Sequence, residues 1–287
     1  MSNTPVGYTI DHEGLRLDIS LVETERLLIH EETIPHRLER LRRRIERDGV
    51  QSAPILVDRK NLVVLDGMHR TAVMSDLGCR FTCVCLLDYF EPSINVQRWC
   101  RVIPEPFSHE RAEEFISSLY LSMEPYEIIK SPDEEGGLLL VFRHRAYKLK
   151  SDPNDLMDIF RKSYQLEMNL QEHGYEIVHC TESQAIDHMA SGYEATLYMP
   201  KVEKQQVIDI ATRNQVFTPK ATRHKLPARP LGVNVPLSLL RNNEMSLDEA
   251  NRSLAMHLNK KKVKRYDHGM KWMGRAYDEV LYVFSDL

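Results

Sequence analysis

Residues Leu62–Gly78 read LVVLDGMHRTAVMSDLG, and they decide how the rest of the chain is read. Leu62, Val63, Val64 and Leu65 form a short apolar run rich in β-branched residues. Asp66-Gly67 breaks it, and from Arg70 onward Ala72, Val73 and Leu77 fall at helical spacing. The spacing predicts a strand, a tight turn and a helix. Glycine in such a turn lets the backbone approach a ligand, and the first N–H groups of a helix have no internal partner, so the turn can receive an anion such as phosphate. Asp66, His69 and Arg70 add a carboxylate, a titratable ring and a fixed positive charge. The alternative is an ordinary strand-to-helix turn whose charged residues are solvated.

Short strands and helices flank this stretch. Leu15-Leu17-Ile19 and Leu27-Leu28-Ile29 have the pattern of strands, as do Ala53–Asp58 (APILVD) and Phe81–Tyr89 (FTCVCLLDY). In HEETIPHRLERLRRRIERDGV, Thr33 is the expected helix N-cap and Pro35 fits the first turn. Leu38, Leu41 and Ile45 form one apolar stripe, and Gly49 stops the helix. Its arginines alternate with Glu39, Glu46 and Asp48, the pattern of a solvated face more than of a nucleic-acid contact. Strands and helices alternating from residue 15 to 89 imply a small mixed α/β domain, with a boundary near Pro92, Pro104 and Pro106.

Beyond the boundary, helices are expected over Arg111–Leu121, Leu156–Glu172, Glu203–Asn214 and Ser246–Leu258. A strand or hairpin is expected over Gly137–Lys150, and strands over Glu194–Met199 and Val280–Phe284. The segment FTPKATRHKLPARPLGVNVPLSLL carries four prolines between Pro219 and Pro236 and reads as a long ordered loop, of the kind that binds something. The basic run Lys260–Arg265 reads as solvated surface.

Composition narrows the function classes. The chain has 287 residues, with 38 basic against 42 acidic side chains and a net charge of −4, so no overall electrostatic pull toward nucleic acid or anionic lipid exists. No secretory leader and no long apolar span is visible, which implies a cytoplasmic protein with no membrane partner. Five scattered cysteines do not suggest a disulfide framework, and Cys83 and Cys85 read as core residues. His30, His69 and His224 lack the spacing of a zinc site, so no protein-held metal site is expected.

Three distant stretches offer polar groups in strand-end or loop settings: His30-Glu31-Glu32, Asp66–Arg70 and Thr222-Arg223-His224. Together with PILVD, LDGMHR and the following Leu77-Gly78, they form a pattern that resembles the ParB/sulfiredoxin-like fold. Within that fold the chain is similar to the free L-serine kinases of the SerK and SbnI type. The likeness continues through Trp99 in QRWCRVI, through PKATRH with the following RP and NVPL, and to the ending RAYDEVLYVF.

The resemblance implies an α/β fold with a small ParB/sulfiredoxin-like domain over residues 1–105. A larger mixed α/β substrate domain would follow over 106–287, with the active site in the cleft between them. It further implies phosphorylation of free L-serine, or a closely related hydroxy amino acid, from ATP or ADP with Mg²⁺. Glu31 would be the base, with Glu32 its rival or a substrate contact, and Asp66 would be a second catalytic carboxylate. Gly67, Met68, His69, Arg70 and Thr71 would hold the nucleotide phosphates, and Trp99, Thr222, Arg223 and His224 the amino acid. The residue types suit the chemistry. Phosphoryl transfer needs N–H donors, cations and a carboxylate to orient the alcohol, and Arg223 could take an amino-acid carboxylate bidentately.

Other members of the fold imply other activities. Sulfiredoxin needs a cysteine in the phosphate loop, where this chain has Met68, and a thioether cannot become a thiolate. A ParB-like DNA-binding or nucleotide-hydrolysing clamp would carry an arginine pair in the loop and a helix-turn-helix after it, and neither is visible. A non-catalytic sensor of nucleotide or amino acid is the remaining alternative. The oligomeric state is not legible.

Overall fold

A computed structural model describes residues 7–127, 137–151, 155–272 and 274–286. These fall into two compact units. The first comprises residues up to Asn95, with Lys204–Val216 and His224–Leu287; the second comprises Val96–Glu203 and Phe217–Arg223. Each unit is thus assembled from separated segments, whereas the sequence reading draws one boundary after residue 105.

In the first unit, strands β1 (Tyr8–His12) and β2 (Leu15–Glu23) precede helix α1 (Pro35–Asp48). Then follow β3 (Val50–Gln51), β4 (Ile55–Asp58), β5 (Val64–Asp66), helix α2 (Met68–Asp76) and β6 (Phe81–Leu87). Five of these strands make one sheet in the order β1-β2-β6-β4-β5, with β4 parallel to β6 and the other neighbours antiparallel. Every residue of β6 is buried, as its unbroken apolar run requires of a strand covered on both faces. Val22, Ile55, Val57, Val64, Val84 and Leu86 form the core on one face. Cys83 and Cys85 lie fully inside, where burial pushes both thiols up, Cys85 to about 12.

The C-terminal part of this unit adds a three-stranded sheet. Ala228–Leu231 pairs in parallel with Val280–Asp286, which pairs antiparallel with Lys261–Tyr266. Helix Leu247–Asn259 is closed at its start by a capping box between Ser246 and Glu249. From this helix the buried Asn251 amide takes the Leu21 N–H at 2.8 Å and donates to the Leu21 carbonyl at 3.0 Å.

The second unit is a six-stranded antiparallel sheet, in the order Val178–Cys180, Cys100–Ile103, Ala195–Tyr198, Leu138–Phe142, Ala146–Ser151, Leu121–Tyr126. Helices His109–Ser118, Leu156–Glu172 and Glu182–Ala190 accompany it.

The mixed α/β class and the element types agree with expectation, with four local corrections. The segment over 217–240 is not a long loop: it contains strands Thr222–Lys225, Ala228–Leu231 and Val235–Pro236 and the short helix Leu237–Leu240. Its prolines mislead because Ala228–Leu231 is an edge strand, where Pro230 need not donate to a ladder. Leu27–Ile29 is not a strand; after a 3-10 turn at Thr24–Arg26, Leu28 makes one isolated bridge to Val63. Thr33 does not cap α1, whose N-cap is Ile34. The helix expected over Arg111–Leu121 ends at Ser118, and Leu121 opens a strand.

Candidate active site

The turn at the end of β5 is the centre of the first unit's polar chemistry. Gly67 is the N-cap of α2 with φ of +117°, a left-handed conformation that a side chain would strain. A Cβ there would also lie 3.0 Å from Arg70 Nη2 and 3.2 Å from Ile55 Cγ2. The Arg70 guanidinium therefore lies directly over the glycine, within the first turn of α2. Thr71 is buried, and its hydroxyl donates to the Gly67 carbonyl at 3.2 Å, tightening the turn. Met68 packs partly against the sheet core.

Asp66 is enclosed by cations. Its Oδ2 pairs with Arg229 Nη1 and lies 3.7 Å from Arg70 Nη2. Burial alone would raise its pKa, but the positive charges of Arg229, Arg70 and Arg275 hold the carboxyl well below the ordinary range. Asp66 is thus ionised throughout the neutral range. Arg229 in turn pairs with Glu279, and both Arg229 and Arg275 lie over the Tyr277 ring, 5.4 and 4.8 Å from its centroid. Three guanidinium groups against two carboxylates leave this cluster with an excess positive charge beside a helix N-terminus, a setting that favours an anion.

The His30-Glu31-Glu32 stretch is fastened to the same strand. Leu28 N–H donates to the Leu62 carbonyl at 3.0 Å, Val64 N–H donates to the Leu28 carbonyl at 2.8 Å, and His30 Nδ1–H donates to the Val64 carbonyl at 2.9 Å. Glu31 follows, half-buried, while Glu32 is exposed. The main chain beyond them is held from α2, because Ile34 N–H donates to His69 Nε2 at 2.9 Å. His69 therefore presents a lone pair at Nε2 and acts as a neutral acceptor, joining the start of α1 to the start of α2.

His224 belongs to this cluster too. Its ring lies edge-on to His30 with centroids 5.3 Å apart, and its Nε2 is 2.7 Å from the Tyr89 hydroxyl. Burial depresses both rings, His30 to about 4 and His224 to about 3, with His30 adding to the effect on His224. Both are neutral at pH 7.

The first unit thus brings together Glu31, Glu32, Asp66, Gly67, Met68, His69, Arg70, Thr71 and His224. Trp99, Thr222 and Arg223 belong to the second unit, where they form a group of their own. Trp99 Nε1–H donates to the Thr222 carbonyl at 3.1 Å, Lys220 Nζ lies 4.0 Å from the Trp99 ring centroid, and Arg223 Nη1–H donates to Gln97 Oε1. Sequence reasoning missed Arg229, Arg275, Tyr277 and Glu279. The signal was present in ARPL and RAYDEV, where charged residues open or interrupt apolar strands. Among the described residues no group of three or more His, Cys, Asp and Glu side chains could by itself hold a metal ion, and no helix is long and apolar enough to cross a membrane.

A strand ending in an Asp-Gly turn that starts a helix, on a small mixed sheet with an acidic stretch fastened beside it, is the ParB-like architecture. Comparison with known proteins gives the particular family. The ATP-dependent L-serine kinase of Staphylothermus marinus is 30% identical over 235 residues, spanning 77% of this chain and 90% of that protein. The ADP-dependent L-serine kinase SerK of Thermococcus kodakarensis is 25% identical over 234 residues, spanning 78% and 94%. The solved structure of a free serine kinase in complex with AMP has the same fold, with a TM-score of 0.66 and 23% identity over 78% of this chain and 94% of that one. No protein-family model matches the chain. The chain belongs to the family of free L-serine kinases, phosphotransferases of ParB-like fold.

Proposed function

We propose that this protein transfers the terminal phosphoryl group of ATP or ADP to the hydroxyl of free L-serine, giving O-phospho-L-serine. The observation that carries the reading is the family relationship, which spans nine-tenths of a protein named an ATP-dependent L-serine kinase. The local geometry supports it. The Gly67 turn offers N–H groups at the start of α2, and Arg70 lies over it. Charge that builds on the transferring phosphoryl oxygens meets preorganised donors there, which is where most of the catalysis of phosphoryl transfer arises.

Glu31 is the proposed base. Its carboxylate takes the proton from the serine hydroxyl as the oxygen bonds to phosphorus, and the nucleotide leaves one phosphate shorter. His30, neutral at pH 7, adds no positive charge beside Glu31. Asp66 holds Arg70 and Arg229 at the turn. Thr222, Arg223 and Trp99 are proposed to recognise the amino acid, the Arg223 guanidinium through its carboxylate.

Mg²⁺ fits as a cation shared with the nucleotide. It would be held by phosphate oxygens and water more than by the protein, because the Asp66 carboxylate is already paired with Arg229 and Arg70. When bound, the ion neutralises phosphate charge. Relatives named for ATP and for ADP both exist, so the donor is tested directly. We further propose a cytoplasmic enzyme with a small-molecule substrate and no nucleic-acid or membrane partner. The test is incubation with L-serine, Mg²⁺ and either nucleotide, with phosphoserine detected by ³¹P NMR. Absence of any phosphorylated amino acid with both donors and with a panel of hydroxy amino acids overturns the assignment.

A further inference from the structure

Two arginines lie inside the second unit, and they are used differently. Arg98 Nε–H donates to Glu182, the first residue of helix Glu182–Ala190, at 2.7 Å and Nη1–H to the Met199 carbonyl at 3.0 Å, with the guanidinium over the Tyr198 ring. Arg101, only 2% exposed, joins the main chain of its own segment to that of a segment more than a hundred residues further along. Its Nη1 donates to the Trp99 carbonyl at 3.3 Å and to the Lys220 carbonyl at 3.0 Å, and its Nη2 donates to the Pro219 carbonyl at 3.2 Å. Its Nε–H donates to Glu167 Oε2 at 3.1 Å, and Glu167 Oε1 is 2.9 Å from His179 Nε2. Burial would raise the Glu167 pKa, yet His179 and Arg101 hold it below the ordinary glutamate value, so the Arg101 partner stays charged.

A buried ion pair does not explain itself by stability. Apolar side chains of the same volume often serve as well, because they avoid the desolvation of two charges. What they cannot do is gather three carbonyls from two separate segments onto one planar fork. Those segments are the ones that carry Trp99 and, directly after Pro219-Lys220, Thr222 and Arg223. Trp99 Nε1 and the Lys220 ammonium then close the same junction from the other side.

We propose that Arg101 is a positioning residue for amino-acid recognition: by fixing the Trp99 main chain to that of Pro219 and Lys220, it sets the geometry of Trp99, Thr222 and Arg223. Glu167 orients Arg101, and His179 orients Glu167. The inference rests on the reading that Trp99, Thr222 and Arg223 bind the amino acid. It adds residues that touch neither substrate nor nucleotide.

The test compares Arg101→Lys, Arg101→Met, Glu167→Gln and Arg223→Ala with the unaltered protein by steady-state kinetics and by urea unfolding. Lysine keeps the charge and loses the fork, so Arg101→Lys is expected to raise KM for serine about 10- to 100-fold, the cost of ångström-scale misplacement. KM for the nucleotide should stay within about twofold, because the donor binds elsewhere. Arg101→Met should show the same KM split even where its stability matches or exceeds that of the parent. In a Trp272→Phe background, which leaves Trp99 as the sole indole, acrylamide should quench fluorescence more readily after Arg101→Lys, a readout that does not depend on turnover. If Arg101→Lys fails to fold, Glu167→Gln is read in the same way. Serine KM within twofold of the parent in folded Arg101 or Glu167 variants, alongside a large rise in Arg223→Ala, overturns the positioning role alone. An unchanged serine KM in Arg223→Ala overturns the amino-acid pocket and this inference with it.

Discussion

Acidification should weaken the protein through His30, and by an amount that follows from its place in the fold. His30 is fully buried, gives its Nδ1 proton to the Val64 carbonyl, and has its pKa depressed by burial to about 4, against 6.5 for an unburied ring. The folded state therefore binds this proton less readily than the unfolded chain. Stability from the neutral ring is fully present above pH 6.5 and is lost as pH falls toward 4. Between pH 7.5 and pH 5 the difference in proton binding amounts to about 2 kcal/mol. The perturbation that isolates it is His30→Asn, because the asparagine amide can reach the position of Nδ1 and keep the donation to Val64 while removing the titration. Urea unfolding at the two pH values should show the unaltered protein losing about 2 kcal/mol more than the variant. Equal losses would refute the reasoning, since His30 would then take up its proton as readily inside the fold as outside. His224, depressed further to about 3 by burial and by His30, contributes in the same direction, and its loss remains in both proteins and drops out of the comparison.

Other expectations are tested by single substitutions. Glu31→Gln should lower kcat by about 10²- to 10⁴-fold with unfolding unchanged, while Glu32→Gln should cost little; the reverse order would move the base to Glu32. Gly67→Ala should destabilise by at least about 1 kcal/mol and raise KM for the nucleotide, because the left-handed backbone and the close Arg70 guanidinium both resist a Cβ; unaltered unfolding would remove the strain argument. Arg229→Met should cost about 3 kcal/mol in urea unfolding by stranding Asp66 and Glu279 beside an apolar side chain, and adding Asp66→Asn should recover part of the loss. Asn251→Leu should cost about 2 kcal/mol or more, since Leu21 would lose both main-chain partners inside the core.

The strand, turn and helix over Leu62–Gly78 were legible because an unbroken β-branched apolar run gives way at a glycine to helical spacing, and that change is local. The buried thiols of Cys83 and Cys85 were legible from the unbroken apolar run around them. The environment of Asp66 was not. Its carboxylate is set by Arg229, Arg275 and Glu279, more than 150 residues away, and no local pattern encodes such a meeting. The 217–240 segment misled for a related reason: proline density argues against ladders in general, but an edge strand suspends the rule at Pro230. The histidines read as candidate ligands or site residues. Their neutrality follows from burial and from each other, which only a three-dimensional neighbourhood supplies.

The sharing of segments between the two units has a consequence for synthesis. Residues 96–223 leave the ribosome as one run, apart from the helix Lys204–Thr212 and its flanks, so the six-stranded sheet can close while the chain is still growing. The first unit cannot be completed then: its Ala228–Leu231 strand waits for Val280–Asp286, which is made much later. The half that begins first is finished last, and nascent chains stalled before residue 280 should hold an exposed, unpaired β edge that attracts chaperones.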